Sequence, residues 1–333
     1  MAEKDAHAMD RTLTLDVVRV VEAAAVAAAD WIGSGDEKSA DQAAVDAMRS
    51  ALNSLPIAGV IRIGEGERDE APMLFIGEEV GLGGEKSVPV DIALDPLEGT
   101  TICARGAPNA LAVIAFAEPG GFLFAPDVYM QKIAVGAGLP AGVISIDDPI
   151  EANLERLAKA RGKAVRDLTV CVLDRPRHEE VVRDIRAAGA RIQLIADGDV
   201  YGVIATCLPE SAIDMYVGAG GAPEGVLAAA ALRCIGGQIQ GRLLFRNDEE
   251  RARARRCGVE DLDRTYSLEE MAGGDVVFAA AGVTDGVFLR GVRRDGDQVE
   301  THAVVMRSYT GTVRRITAVH QSDKKTSLRS RRA

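Results

Sequence analysis

Val90-Asp-Ile-Ala-Leu-Asp-Pro-Leu-Glu-Gly-Thr-Thr101 decides how this chain is read. An alternating apolar run carries Asp95 and Glu98 to the end of a strand. Pro96 has no N–H to give a neighbouring strand, so the spacing predicts that the ladder stops there. Gly99 and Thr100 then open a turn into a helix start. Carboxylates beside free backbone N–H groups form a place where hard cations and a phosphate can meet.

Upstream, a second apolar run, Ile57 to Ile63, leads into another acidic cluster, Glu65, Glu67, Asp69 and Glu70. Either cluster alone would suit a solvated turn. Two acid-bearing strand ends in one chain point instead to a two-metal site, where cations clamp the attacking and leaving oxygens of a phosphoryl group.

The chain has 333 residues, enough for one large domain or two packed ones. Hydrophobic residues make up 47% and aromatics 4%, so Ala, Val, Ile and Leu must build the core. A net charge of −11 argues against nucleic acid as a partner, because phosphate backbones need a basic footprint. Five cysteines, an odd number without Cys-x-x-Cys spacing, read as reduced thiols and a cytoplasmic location. Met1 to His7 lacks the pattern of a signal peptide, and the apolar stretch Val20–Ala29, interrupted by Glu22, is too short to span a bilayer.

Helical spacing predicts helices over Leu13–Ile32 and Ser39–Leu55, with strands at Ile57–Ile63, Val88–Leu94 and Leu111–Ala117. Beyond Gly138-Leu-Pro-Ala-Gly142 strand and helix alternate: strands at Leu168–Leu173, Arg191–Ile195, Ala212–Val217 and Gln238–Phe245, helices at Pro176–Ala188, near Val200–Cys207 and at Pro223–Ile235. Final strands are expected at Asp275–Ala281, Val287–Val292, Thr301–Ser308 and Val313–Val319. The fold class is α/β. An N-terminal α+β metal- and phosphate-binding domain is expected over 1–145, a C-terminal α/β substrate domain over 146–322 and a basic tail over 323–333.

Several motifs fail their own tests. Gly81-Leu-Gly-Gly-Glu-Lys-Ser87 is not a P-loop, since Glu85 stands where Gly must precede the Lys. The four histidines are scattered without zinc-type pairing, and no Gly-x-Ser-x-Gly elbow occurs. Arg251-Ala-Arg-Ala-Arg-Arg256 reads as an exposed basic face rather than a nucleic-acid patch.

From about Asp16 to His320 the chain resembles the class II fructose-1,6-bisphosphatases of the lithium-sensitive sugar and inositol phosphatase superfamily. The resemblance rests on the order and spacing of seven motifs: Gly35-Asp-Glu-Lys-Ser-Ala-Asp41, Ile63-Gly-Glu-Gly-Glu-Arg-Asp-Glu-Ala-Pro-Met73, Asp91-Ile-Ala-Leu-Asp-Pro-Leu-Glu-Gly-Thr100, Ala125-Pro-Asp-Val-Tyr-Met130, Arg175-Pro-Arg-His178, Asp197-Gly-Asp199 and Gly218-Ala-Gly-Gly-Ala-Pro-Glu-Gly225. It implies a layered, two-domain sugar-phosphatase fold with the active site in the cleft between the domains.

The resemblance implies Asp41, Glu65, Asp95, Glu98 and Glu224 as ligands for two or more Mg²⁺ or Mn²⁺ ions, with Asp95 bridging. Thr100, with the backbone around Gly99, would hold the reacting phosphate or orient the attacking water. Asp41 or Asp69 would pair with that hydroxyl, and Glu67 would act in proton transfer or behind the ligands. For the far end of the substrate, Arg175 and Arg177 can grip a second phosphate bidentately. Tyr129 and Lys132 could contact the sugar or that phosphate, and Asp197 and Asp199, flanking Gly198, could accept from sugar hydroxyls. Glu98, Gly99 and Gly221 complete the set. Where this family often has Lys directly after Gly-Asp, the chain has Glu37, with Lys38 next to it.

The expected activity is metal-dependent hydrolysis of the 1-phosphate of fructose 1,6-bisphosphate, a gluconeogenic step, by a homo-oligomer (dimer or tetramer). Alternatives are a dual enzyme that also cleaves sedoheptulose 1,7-bisphosphate, an inositol- or nucleotide-type monophosphatase, and a non-catalytic sugar-phosphate sensor.

Overall fold

The computed structural model describes residues 13–66 and 73–321. Its first element is helix α1 (Thr14–Ala29), whose Val17, Val18, Val21, Ala24 and Ala25 are buried. Helix α2 (Glu37–Leu52) follows, started by Asp36, which accepts a hydrogen bond from the Ser39 N–H at 3.0 Å. Strands β1 (Ile57–Ile63), β2 (Glu79–Val80) and β3 (Val88–Glu98), the short helix α3 (Thr100–Arg105) and strand β4 (Leu111–Ala117) come next. Every residue of β4 is buried, as a strand covered on both faces requires.

The chain then builds a second unit, Leu123–Gly273. This contains β5 (Tyr129–Val135), α4 (Ile150–Arg161), β6 (Thr169–Leu173), α5 (Glu179–Ala187), β7 (Arg191–Ile195), α6 (Asp199–Ile204), β8 (Met215–Gly221), α7 (Ala222–Ile235), β9 (Gln238–Leu244), α8 (Asp248–Arg256), β10 (Thr265–Ser267) and α9 (Leu268–Met271). From Gly274 it returns to the first unit with β11 (Val276–Gly282), β12 (Arg293–Asp295), β13 (Gln298–Arg307) and β14 (Thr312–Gln321).

Among the described residues the first unit holds an eight-stranded sheet in the order β12-β13-β11-β4-β3-β1-β2, with β14 on β13. The second holds six strands in the order β10-β9-β5-β8-β6-β7. The sequence reading set one boundary near 145. The packing divides the chain at Phe122 and again at Gly273, because β11 inserts antiparallel beside β4 from Val276↔Ala117 to Gly282↔Leu111. No local pattern announces that return.

Two local expectations are corrected. Pro96 does not end its strand: β3 runs on to Glu98, and the pairing with β4 skips from Asp95↔Val113 to Glu98↔Leu111. The irregularity accommodates the missing N–H, so the proline sits within a bulge. The strand expected at Val287–Val292 is a tight loop instead, held by the Gly286 N–H on the Leu289 carbonyl (2.9 Å) and the Gly291 N–H on Asp285 Oδ1 (3.0 Å). Strand β12 begins only at Arg293.

Candidate active site

In the first unit the parallel pair β1–β3 brings the two acidic strand ends to one edge. The register runs Ile61↔Ile92 and Ile63↔Ala93, so Glu65 lies two residues past one strand partner and Asp95 two past the other. Ligands gather at the carboxyl ends of parallel strands in such sheets. Asp95 Oδ1 accepts from the Leu97 N–H at 3.0 Å, which fixes the turn through Pro96. Glu98 is buried at 4% exposure. Gly99 stands at φ +89°, and a Cβ there would lie 2.9 Å from Ile102 Cδ1. Only glycine adopts that conformation at low cost, and it turns the chain so that Thr100 opens α3.

Asp41 lies on α2, which packs against α3 and β3. Burial pushes its carboxyl up from the usual range, and no ion pair reaches it among the described residues. Asp91, at the start of the same motif, serves the fold: its Oδ2 accepts from the Gly120 N–H at 2.7 Å, and Oδ1 pairs with Arg62 at 3.0 Å. Glu37 and Lys38 are exposed. Glu67 and Asp69 lie outside the described residues. Among those described, no three Asp, Glu, His or Cys side chains stand close enough together to form a ready-made cation cage.

The second unit has a comparable edge. Strands β6, β7 and β8 run parallel, so their carboxyl ends deliver Arg175, then Asp197 to Asp199, then Gly221 to the same side. Antiparallel β5 begins there, with Tyr129 between Gly221 of β8 and Leu244 of β9. Arg175 pairs with Asp197 at 3.9 Å. Arg177 donates from Nε and Nη2 to the Ala219 carbonyl (2.9 and 2.7 Å), and its guanidinium lies 4.8 Å from the Tyr129 ring centre. His178 staples the same loop. Nδ1–H donates to the Leu173 carbonyl at 2.7 Å, and Nε2 accepts from the Ala219 N–H at 2.8 Å, so the ring is neutral.

Lys132 is 1% exposed. Its ammonium is taken up by Asp199 and by the Gly221 carbonyl at 3.0 Å. The Tyr216 hydroxyl donates to Asp199 Oδ2 at 3.5 Å. Against this group lies Glu224, in the first turn of α7. Burial first, then the Asp199 charge, push its carboxyl up to about 7, while Lys132 pulls it down. Its Oε2 is sealed from solvent without a hydrogen-bond partner. A buried carboxylate oxygen left so is costly, and a cation is the partner that would relieve it. Carboxylate oxygens, those of Asp41, Glu65, Asp95 and Glu98 in the first unit and of Glu224 in the second, are donors of the kind a hard divalent ion takes.

The glycines of Gly218–Gly221 are required by close approach. A Cβ on Gly220 would stand 2.1 Å from Asp199 Oδ2, and one on Gly221 1.9 Å from Glu224 Oε2. One residue escaped the sequence reading. Arg246, just past β9, places its guanidinium 5.2 Å from the Tyr129 ring centre. It belongs to no motif, and only the pairing of Leu244 with Tyr129 brings it to this edge.

The chain matches the family described as bacterial fructose-1,6-bisphosphatase, glpX-encoded, over residues 11–320. It is 45% identical over 338 residues to a D-fructose 1,6-bisphosphatase class 2/sedoheptulose 1,7-bisphosphatase of Synechococcus sp. (strain JA-3-3Ab), covering 95% of this chain and 97% of that protein. A protein of the same description from Synechococcus sp. (strain JA-2-3B'a(2-13)) gives the same identity and coverage. Fructose-1,6-bisphosphatase 1 class 2 of Escherichia coli (strain K12) is 45% identical over 331 residues, again covering 95% and 97%. With motifs, sheet edges and near full-length similarity in agreement, the chain belongs to the class 2, glpX-encoded family of fructose-1,6-bisphosphatases.

Proposed function

We propose that this protein hydrolyses the 1-phosphate of fructose 1,6-bisphosphate to fructose 6-phosphate and phosphate, using Mg²⁺ or Mn²⁺. The observation that carries the reading is the edge in the second unit, where the Arg175, Arg177 and Tyr129 group suited to a second phosphate adjoins the sealed, partnerless Oε2 of Glu224. A monophosphatase has no use for the arginine group, and a sensor has no use for the acids.

Asp41, Glu65, Asp95, Glu98 and Glu224 hold the ions in this reading. Bound divalent ions would neutralise charge on the phosphate oxygens and acidify a water molecule. Thr100 orients that water, with Asp41 or Asp69 accepting its hydroxyl proton in a hydrogen bond and Glu67 serving proton transfer. Arg175 and Arg177 bind the distal phosphate, and Asp197 and Asp199 accept from sugar hydroxyls beside Gly198. Lys132 acts from below the surface, fixing Asp199 and the Gly221 carbonyl rather than touching the sugar. The phosphate leaves with an oxygen from water, and the C1 oxygen of the sugar takes a proton.

Two relatives carry sedoheptulose 1,7-bisphosphatase in their descriptions, which favours the dual enzyme as the second reading. The five free cysteines suit a reducing compartment, and we place the protein in the cytoplasm as a homo-oligomer, dimer or tetramer. Phosphate release from a panel of sugar bisphosphates and monophosphates, with Mg²⁺, Mn²⁺ or EDTA, tests the proposal. Hydrolysis restricted to bisphosphates and lost with EDTA is expected. Equal turnover of inositol monophosphate would overturn it.

A further inference from the structure

Tyr129 opens the central strand β5 at the ligand-gathering edge of the second unit, between β8 and β9, and two guanidinium groups approach its ring. On the β8 side, Arg177 is tethered by two hydrogen bonds to the Ala219 carbonyl and lies 4.8 Å from the ring centre. On the β9 side, Arg246 lies 5.2 Å from the same centre. The two arginines are far apart in sequence, and neither approach is a consequence of the other.

Arg246 is positioned in advance. Its Nε and Nη2 donate to Glu250 Oε1 at 2.6 and 2.5 Å, and its backbone N–H donates to Glu250 Oε2 at 2.7 Å. Glu250 is itself 1% exposed and held in the first turn of α8, where its N–H meets Asn247 Oδ1 at 2.9 Å. A guanidinium has five N–H donors, and the clamp on Glu250 leaves the Nη1 end unused among the described residues. The same holds for Arg177, whose bonds to Ala219 also use Nε and Nη2. Glu250 balances the charge of Arg246, with Asp127 farther off, whereas Arg177 meets no carboxylate among the described residues. Two fixed forks on one aromatic ring, each with an open donor end, fit an anion with several oxygens.

We infer that Arg246 is a phosphate-binding residue, and that together with Arg177 it brackets Tyr129 to hold the phosphate that is not hydrolysed. This deepens the proposed function and rests on it for the identity of the sugar. The tether to Glu250 means that little side-chain entropy is lost on binding. Arg246 contributes affinity for the spectator phosphate and leaves the chemical step unchanged.

The test is calorimetric binding of fructose 6-phosphate, with unphosphorylated fructose as the control, to the full chain and to Arg246→Gln. Steady-state phosphate release from fructose 1,6-bisphosphate is measured alongside. Expected are at least a tenfold weaker fructose 6-phosphate Kd and a comparable rise in KM, with kcat within twofold of the parent. Wild-type affinity in a folded Arg246→Gln chain overturns the inference, and so does a fall in kcat without a change in KM. Should Arg246→Gln fail to fold, Arg246→Lys decides. It keeps the charge against Glu250 but has no fork, so an at least threefold weaker Kd supports the inference and an unchanged Kd overturns it. A parent enzyme that binds fructose 6-phosphate but releases no phosphate would sink the proposed reaction while leaving Arg246 as an anion ligand.

Discussion

At the scale of single residues, Thr100 and His178 show two ways in which a position serves this protein. Thr100 follows a left-handed glycine at the start of α3 and is half-buried, outside that helix's buried set of Ile102, Cys103 and Ala104. Thr100→Ala should lower kcat for fructose 1,6-bisphosphate by about 10²–10⁴, the range for a positioned proton-handling or orienting group, with Tm within two or three degrees of the parent, taking ~2 °C per kcal/mol. Turnover near the parent rate would remove Thr100 from the mechanism. His178 is neutral because its two ring nitrogens are used in opposite senses, one donating and one accepting. Burial first, then Arg177 and Arg175, depress its pKa from 6.5. Between the depressed folded value and 6.5 the unfolded chain binds more protons, so stability rises with pH through that window. The contribution is complete above 6.5 and lost as pH falls toward the folded pKa. Urea titrations from pH 7 to 5 should show this loss in the parent, and the His178→Gln chain should lack that component. Identical pH slopes in the two chains would refute the neutral-histidine staple. Both residues lie in motifs quoted from the sequence, and for His178 it is the hydrogen bonds that make it a fastener.

The element that matters most is β3 with its bulge. Were the strand to stop at Pro96, Glu98 would belong to a loop. Because β3 resumes pairing at Glu98↔Leu111, the acid is built into the sheet and handed directly to Gly99 and α3. Gly99→Ala puts a Cβ against Ile102 at φ +89°, so it should cost about 1–3 kcal/mol in urea unfolding and move Thr100 enough to depress kcat as well. A Gly99→Ala chain with unchanged stability would show that the left-handed turn is not needed. Helices were easiest to read where their apolar face was plain, as in α1 and α2. They were missed in α4, whose Ile150–Arg161 sequence interleaves Glu151, Glu155, Arg156, Lys159 and Arg161 with its apolar residues and buries only Asn153, Leu154, Leu157 and Ala158. Strand β5 was missed as well, because Gln131 and Lys132 look like surface residues until the Asp199 partner is seen. The expected strand stopped at Val217, yet Gly218, Gly220 and Gly221 form the end of β8, where Asp199 crowds Gly220 and Glu224 crowds Gly221.

At the scale of the whole molecule, the reading turns on divalent ions. EDTA should abolish phosphate release without changing the far-ultraviolet circular dichroism, and Mg²⁺ or Mn²⁺ should restore it. Added Mn²⁺ should also raise the Tm of the metal-free protein, since a ligand that binds only the folded state stabilises it. Glu224→Gln should shrink that rise, a readout independent of turnover. Full activity after exhaustive chelation would leave the proposed hydrolysis without a mechanism. Apolar periodicity and acid-bearing strand ends lie in neighbouring residues, so the α/β class and most strand and helix positions were legible in the chain alone, as were the residues proposed here for cation and phosphate chemistry. Tertiary structure alone decided that β11 to β14 return to the first unit, that Lys132 is spent on Asp199, and that Arg246 reaches Tyr129. Strand pairing and the burial of charge depend on partners distant in sequence, and no local pattern records which partner a residue will meet.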